Sequence, residues 1–344
     1  MCNIAGYAGN RQAAPILLEM LKRQQPYDGG MATGIATIYN GELHYRKIVG
    51  DVDTLIEKTD ALDLPGTIGI AHSRPAGNCA PHPALSPDAT MALVTNGTTP
   101  LTKHSHLWSE AADLLDKAGY EFNMLNAVPQ QEHPRRTRDG QFVFVCECRV
   151  FLIDYYLKQG KSVTEAMALA CQHMYSDNAT VMINRNYPDS IFALRTTRPM
   201  QAILENGEMY MATTRFAFPE GLNNEPEMLP LHHACALDKN GITVTEHKID
   251  LEPVAEMTPY TYTEGYKQLE LLLTSGEAMY FDELEVAVDK MRYLWPGNHT
   301  CVQHARLVYD LLWQFDREGR LRKEERVQTR NDGTRKRWYF WLDK

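Results

Sequence analysis

The sequence has no uninterrupted apolar run of about 18 residues, the length a membrane-spanning helix needs, so no such span is expected. Its start lacks a basic stretch followed by an apolar one and does not read as a signal peptide. Cysteine is sparse. The seven residues at positions 2, 79, 146, 148, 171, 235 and 301 are scattered and odd in number. That is unlike a disulfide framework and points to a reducing, cytoplasmic setting. Cys146-Glu147-Cys148 has no second Cys/His pair at ligand spacing, so neither a zinc site nor another metal is expected. There is no internal repeat and no low-complexity segment.

What is present suits a globular chain with a substantial core. The 344 residues are 44% hydrophobic and 23% charged, enough for one large or two ordinary domains. The net charge of −9 is uneven: residues 263–344 carry 14 basic and 14 acidic side chains, so residues 1–262 hold the whole excess. Within that tail, residues 317–344 have ten basic against five acidic side chains. Such a shift marks a possible second domain.

Asn3–Gly9 reads as a buried strand, and Ala14–Gln25 as a helix with Ile16, Leu17, Met20 and Leu21 on one face. Pro26 and the glycines at 29 and 30 predict a loop over 25–30. Asn40-Gly41 between two β-rich runs predicts a hairpin. Strands are expected at 66–72 and 91–95, the first followed by a Pro/Gly-rich loop from Pro75 to Pro87. Helices follow at 107–117, 150–158 and 163–174, the last opened by the capping box Ser162-x-x-Glu165. Strands return at 180–184, 190–195, 201–204 and 209–213. Residues 123–141 read as an inserted loop. Two strand groups and a helical group suggest helices packed between or against two sheets. Residues 251–262 read as a linker, followed by three helices and a basic hairpin around Asn331-Asp332-Gly333.

The chemistry centres on Cys2. Removal of Met1 would give one residue both a thiol and a free α-amine, a self-contained nucleophile and base, with ordinary pKa values near ~8.5 and ~8. A chance cysteine in a first strand is the bland alternative. Asn96-Gly97 ends a strand, where an amide side chain and a backbone N–H suit an oxyanion hole; it equally suits an ordinary turn. Arg74 starts a loop after a buried strand, as a bidentate carboxylate ligand or as a surface arginine. His82, between two prolines, suits a general acid or a structural histidine.

These residues, in this order, resemble the class II glutamine amidotransferases, a branch of the N-terminal-nucleophile hydrolases. The start Met1–Gly9, the helix at 14–23, Tyr27-Asp28 before Gly34-Ile35-Ala36, Pro65–Arg74, Ala80–Pro83 and Val94–Gly97 each resemble a family element, over roughly residues 1–220. The resemblance implies an α+β fold, a four-layer αββα sandwich over residues 1–250. It implies Cys2 as nucleophile toward the side-chain amide of glutamine, Asn96 and Gly97 as oxyanion donors, Arg74 as carboxylate ligand, and no cofactor. Ammonia would pass to an acceptor enzyme or domain.

The departures concern recognition. Asn3 replaces a glycine, Pro75 a tryptophan, and Gly77 a threonine that helps hold the carboxylate. The family aspartate that pairs with the substrate α-ammonium aligns near Val145, with Glu147 the nearest carboxylate. Losing that contact costs on the order of 1.5–3 kcal/mol, roughly ten- to a hundredfold in affinity. A different amide substrate, or an idle sensor of the same shape, is the alternative. Residues 263–344 resemble no family domain. Their element order is that of a winged-helix module, which would allow nucleic-acid contact through Arg320, Arg322, Lys323, Arg335, Lys336 and Arg337. Trp295, Trp313, Trp338 and Trp341 instead suit a homodimer or partner interface.

Overall fold

The computed structural model describes residues 1–76, 80–97, 105–126, 142–251, 253–297, 301–330 and 333–343, and the backbone of 98–100. Two antiparallel sheets face each other. The first has seven strands in the order 227–228, 201–205, 208–212, 3–8, 68–74, 32–39 and 42–49. The second has six, in the order 241–248, 233–238, 191–195, 176–184, 91–100 and 84–85. Between them lies an aliphatic core, with Ile4, Ile38 and Ile70 from one side and Val94, Val181 and Ile183 from the other.

The helices lie outside, not between the sheets. Helix α1 (Ala13–Asp28) and helix α2 (Val52–Lys58) cover the first sheet through Leu17, Leu21, Val52 and Leu55. Helices α3 (Ser105–Lys117), α4 (Val145–Lys158) and α5 (Val163–His173) cover the second through Trp108, Phe151 and Met167. The sandwich is therefore αββα. The central strand 3–8 pairs with 68–74 on one edge and 208–212 on the other, which fixes Cys2 at its entry.

Local signals explain most boundaries. Asn40 and Gly41 adopt positive φ, 51° and 74°, as a two-residue hairpin of type I′ requires. Ser162 caps α5 by accepting from the Glu165 N–H. The loop expected at 25–30 is a correction: α1 continues through Pro26 to Asp28. Proline there removes one N–H in the last turn, and the burial of Tyr27 and Asp28 outweighs that loss. Helix α4 also starts five residues earlier than expected, so Cys146, Glu147 and Cys148 are helical.

Residues from 255 onward build a separate core. Helices α6 (Pro259–Ser275), α7 (Phe281–Lys290) and α8 (His304–Arg317) pack on a hairpin of strands 321–330 and 333–342, joined by the short strand 279–280. Leu284, Leu312, Phe315 and Phe340 lie at its centre, and Tyr27 of α1 enters it. Tyr27 stacks on Phe340 at 5.5 Å between centroids and on Phe216 at 4.6 Å. The basic hairpin is largely answered from within. Arg320 meets Glu270, Arg322 meets Asp343 at 2.7 Å and Lys336 meets Glu325 at 3.1 Å. Lys323 lies over the rings of Tyr27, Phe216 and Trp338, and Arg335 and Arg337 are buried. Of the tryptophans expected at an interface, Trp295 is buried in this core.

Phe340→Ala should lower unfolding stability by about 3–5 kcal/mol, the usual cost of removing a fully buried aromatic ring. Urea denaturation followed by tryptophan fluorescence measures it.

Candidate functional site

Cys2 enters the first sheet opposite the strand 91–100 of the second. Its backbone N–H donates to Asn96 Oδ1 at 2.9 Å. That single bond fixes the Asn96 amide with its Nδ2 turned the other way. Asn96 is fully buried, and among the described residues its Nδ2 has no hydrogen-bond partner. An unpaired buried donor costs about 1–3 kcal/mol, so it is the kind of group a site retains for a charge that arrives later. Gly97 follows with φ of 85°, and a Cβ there would lie 2.0 Å from the Asp177 carbonyl oxygen. Only glycine fits.

Asn3, where the resemblance expects glycine, is buried and donates from Nδ2 to the Gln24 carbonyl at 2.7 Å. Gln24 in turn donates to the Ile4 carbonyl at 2.9 Å. The side chain thus ties the strand 3–8 to α1.

Arg74 ends the strand 68–74. Its Nη1 donates to the Ala80 carbonyl at 3.2 Å, and its guanidinium carbon lies 5.3 Å from the centre of the Phe144 ring. Its buried Nε has no hydrogen-bond partner among the described residues. The next carbonyl, Pro75, accepts from Arg335 of the C-terminal hairpin. Gly77 lies outside the described residues.

His82 is buried and stacks on His72 with centroids 3.9 Å apart. Its Nδ1 accepts from the Thr95 N–H at 3.4 Å, and its Nε2 lies 3.1 Å from Cys146 Sγ. Burial, and then the positive surroundings of Arg74, Lys47 and Arg149, hold His82 well below the ordinary imidazole range. Near neutral pH it is uncharged. Burial likewise lowers His72 to about 3 and raises the Cys146 thiol to about 11. The geometry makes His82 part of a neutral wall with Cys146 and Thr95, whose Oγ1 lies 2.7 Å from the Cys146 sulfur.

Glu147 does not stand open to a ligand. Its carboxylate accepts from the backbone N–H groups of Asn123, at 3.0 and 3.1 Å, and of Met124, at 2.7 Å. Burial raises its pKa. Val145 is fully buried in the apolar cluster of α4. The strand register sets Asn3 opposite Ser73, so Cys2 and Arg74 lie at the same end of the first sheet, and the Cys2 N–H reaches Asn96, which Gly97 follows. Sequence reasoning gave no weight to Thr95, His72 and Cys146. The Cys146 contact needed the early start of α4, which short apolar patterning does not announce.

Asp28 is the other residue that escaped attention. It is fully buried, and its Oδ1 accepts from Arg337 Nη2 at 2.5 Å. Arg337 Nη1 reaches Asp282 Oδ2 at 3.0 Å. The α-ammonium of Met1 is paired with Asp28 as well. Burial opposes the charge on Asp282, and the α-ammonium and Arg337 outweigh it, so its pKa falls below the ordinary range. A carboxylate depressed in the folded state contributes stability above its unfolded pKa and loses it as pH falls through the folded one. Chemical denaturation of protein that retains Met1, at pH ~7 and pH ~3, should therefore show a loss of stability on acidification that is smaller in Asp282→Asn, since this carboxylate titrates near ~4 when unfolded and lower when folded.

No family model matches the chain. It is 29% identical over 223 residues to the glutamine–fructose-6-phosphate aminotransferase (isomerizing) of Pyrococcus horikoshii, which covers 63% of this chain and 33% of the relative. It is 31% identical over 222 residues to the enzyme of that name from Caldanaerobacter subterraneus subsp. tengcongensis, covering 62% and 31%. The chain thus spans about a third of the length of these curated relatives. Among solved structures, a glutamine phosphoribosylpyrophosphate amidotransferase from B. subtilis superposes with a TM-score of 0.58 at 14% identity, over 81% of this chain and 60% of that one. In sequence the chain resembles the class II glutamine amidotransferases, and its αββα fold is shared with the superposed amidotransferase.

Proposed function

We propose that the chain is a cysteine amidohydrolase that releases ammonia from the side-chain amide of glutamine, with Cys2 as the nucleophile after Met1 is removed. The observation that carries this reading is the Asn96 amide, locked by the Cys2 N–H at 2.9 Å, whose buried Nδ2 has no hydrogen-bond partner among the described residues.

The Cys2 α-amine takes the thiol proton, and the sulfur attacks the amide carbon. The carbonyl oxygen becomes an oxyanion between Asn96 Nδ2 and the Gly97 N–H. Collapse breaks the C–N bond, the α-ammonium returns its proton to the leaving nitrogen, and ammonia departs. Water then cleaves the thioester to give a carboxylate and restore the thiol. Arg74, whose buried Nε has no hydrogen-bond partner among the described residues, is the group for the substrate carboxylate. His82, neutral and bonded to its neighbours, shapes the wall and moves no proton. The named relatives act on glutamine and fructose 6-phosphate; this chain covers a third of them, and we assign it the ammonia-releasing half-reaction for delivery to a separate acceptor.

Two measurements test the reading. A diazoketone analogue of glutamine should leave one adduct on Cys2 of the Met1-free protein, read by peptide mass spectrometry. No adduct at saturating probe sinks the proposal. Asn96→Ala should lower kcat for ammonia release about 10²–10³-fold with little change in KM, the usual effect of removing one oxyanion donor.

A further inference from the structure

The pocket has lost the expected counter-ion for a substrate α-ammonium, since Val145 is apolar and Glu147 is spent on Asn123 and Met124. Yet the molecule holds an α-ammonium on carboxylates a few ångströms away. The amino group of Met1 is paired with Asp28 Oδ2 and lies 3.6 Å from Asp282 Oδ1. That amino group and the Asp28 side chain are closed to solvent. Arg337 spans the two carboxylates from the other side, at 2.5 and 3.0 Å. Arg335 Nη1 is farther, 3.9 Å from Asp28, and is directed at the Pro75 carbonyl. Among the described residues, one guanidinium thus reaches both carboxylates, and the α-ammonium brings a further positive charge to them. Asp28, fully buried, is stable as a carboxylate only with cations in place.

The seat is also at the right distance from the nucleophile. Met1 is covalently joined to Cys2, so a cation there lies roughly 8 Å at most from the Cys2 sulfur by chain geometry. A γ-carboxamide four bonds from its own α-ammonium, approached by sulfur to about 3–3.5 Å, spans the same interval. The Cys2 backbone nitrogen is not a rival occupant. It lies 2.9 Å from Asn96 Oδ1 on the opposing sheet. Removal of Met1 also withdraws a side chain whose sulfur packs 3.4 Å from Arg198 Nη1, leaving room beside the seat.

We propose that Asp28 and Asp282 form the seat for the substrate's α-ammonium once Met1 is gone, so that the C-terminal segment completes the amino-acid-recognition site. The inference rests on the reading above that Met1 is removed and Cys2 is the nucleophile. The ligand class is an α-amino acid carrying an ω-amide, with its ammonium on Asp28 and Asp282 and its carboxylate on Arg74. Asp28 comes from α1, whereas Asp282 comes from α7 and Arg337 from the last strand. Recognition would then be distributed across two cores of the molecule, and a chain ending before residue 282 would keep its nucleophile but lose its choice of substrate.

The test compares L-glutamine with 4-carbamoylbutanoate, which keeps the amide and carboxylate and lacks the amine. Both are titrated calorimetrically into full-length Cys2→Ala protein whose Met1 is confirmed absent by mass. Glutamine should bind roughly ten- to a hundredfold more tightly, the size of one charge-assisted contact. Asp282→Asn in the same background should erase that preference by weakening glutamine alone, and Asp282→Glu should keep part of it. Equal affinities in the parent, no glutamine binding, or an equal loss for both ligands in Asp282→Asn would each overturn the inference. The nucleophile reading is scored separately, by alkylation of Cys2 in the thiol-containing protein. An intact adduct with no amine preference rejects the seat and keeps the nucleophile.

Discussion

Asp28 bears a charge with no water beside it, and the arrangement of both ends of the chain answers that charge. A lone buried carboxylate costs several kcal/mol, so the fold must bring cations to it. The α-ammonium of Met1 and Arg337 do so, with Asp282 as the second acceptor. This requirement ties three features together. Helix α1 runs past its proline, Tyr27 enters the C-terminal core, and the last strand lies against the Arg74 loop. The three are linked: the Tyr27 ring of α1 stacks on Phe340, and Arg337 of the same strand reaches Asp28.

The two cysteines nearest the pocket show how environment separates chemistry from packing. Cys146 is fully buried, raised to about 11, and bonded to Thr95 and His82. Its thiol is inert near neutral pH. Cys2 is partly exposed and beside Asn96, and its backbone nitrogen meets the Asn96 oxygen.

The sandwich was legible because its signals are local. Asn40-Gly41 demanded a hairpin, Ser162 a cap, and the apolar runs at 66–72 and 91–95 two buried strands, each found in place. Cys2, Arg74 and Asn96-Gly97 were legible through their order along the chain. The long-range pairings were not. Asp28 meets Arg337 across a separation of 309 residues, and nothing in the pattern of either neighbourhood announces the other. A basic hairpin looks like a solvated or nucleic-acid-facing surface until its carboxylate partners are seen, and Pro26 looks like a helix stop until the burial of Tyr27 is known. Glu147 failed differently. It was the nearest carboxylate in the sequence to the expected aspartate, and two backbone amides that sequence does not reveal bind it.

The contact between Arg335 and Pro75 spans 260 residues, and it has a meaning for synthesis. A ribosome adds roughly 5–20 residues each second. The thiol-bearing strand therefore emerges many seconds before the segment that closes over its pocket. Pairing of such distant segments is slow, because the loop between them must be ordered first. During that interval Cys2 stands at its strand while the segment that carries Asp282 and Arg337 has not yet docked. The N-terminus is then open to the enzymes that trim nascent chains, and it is enclosed only when the final strand docks.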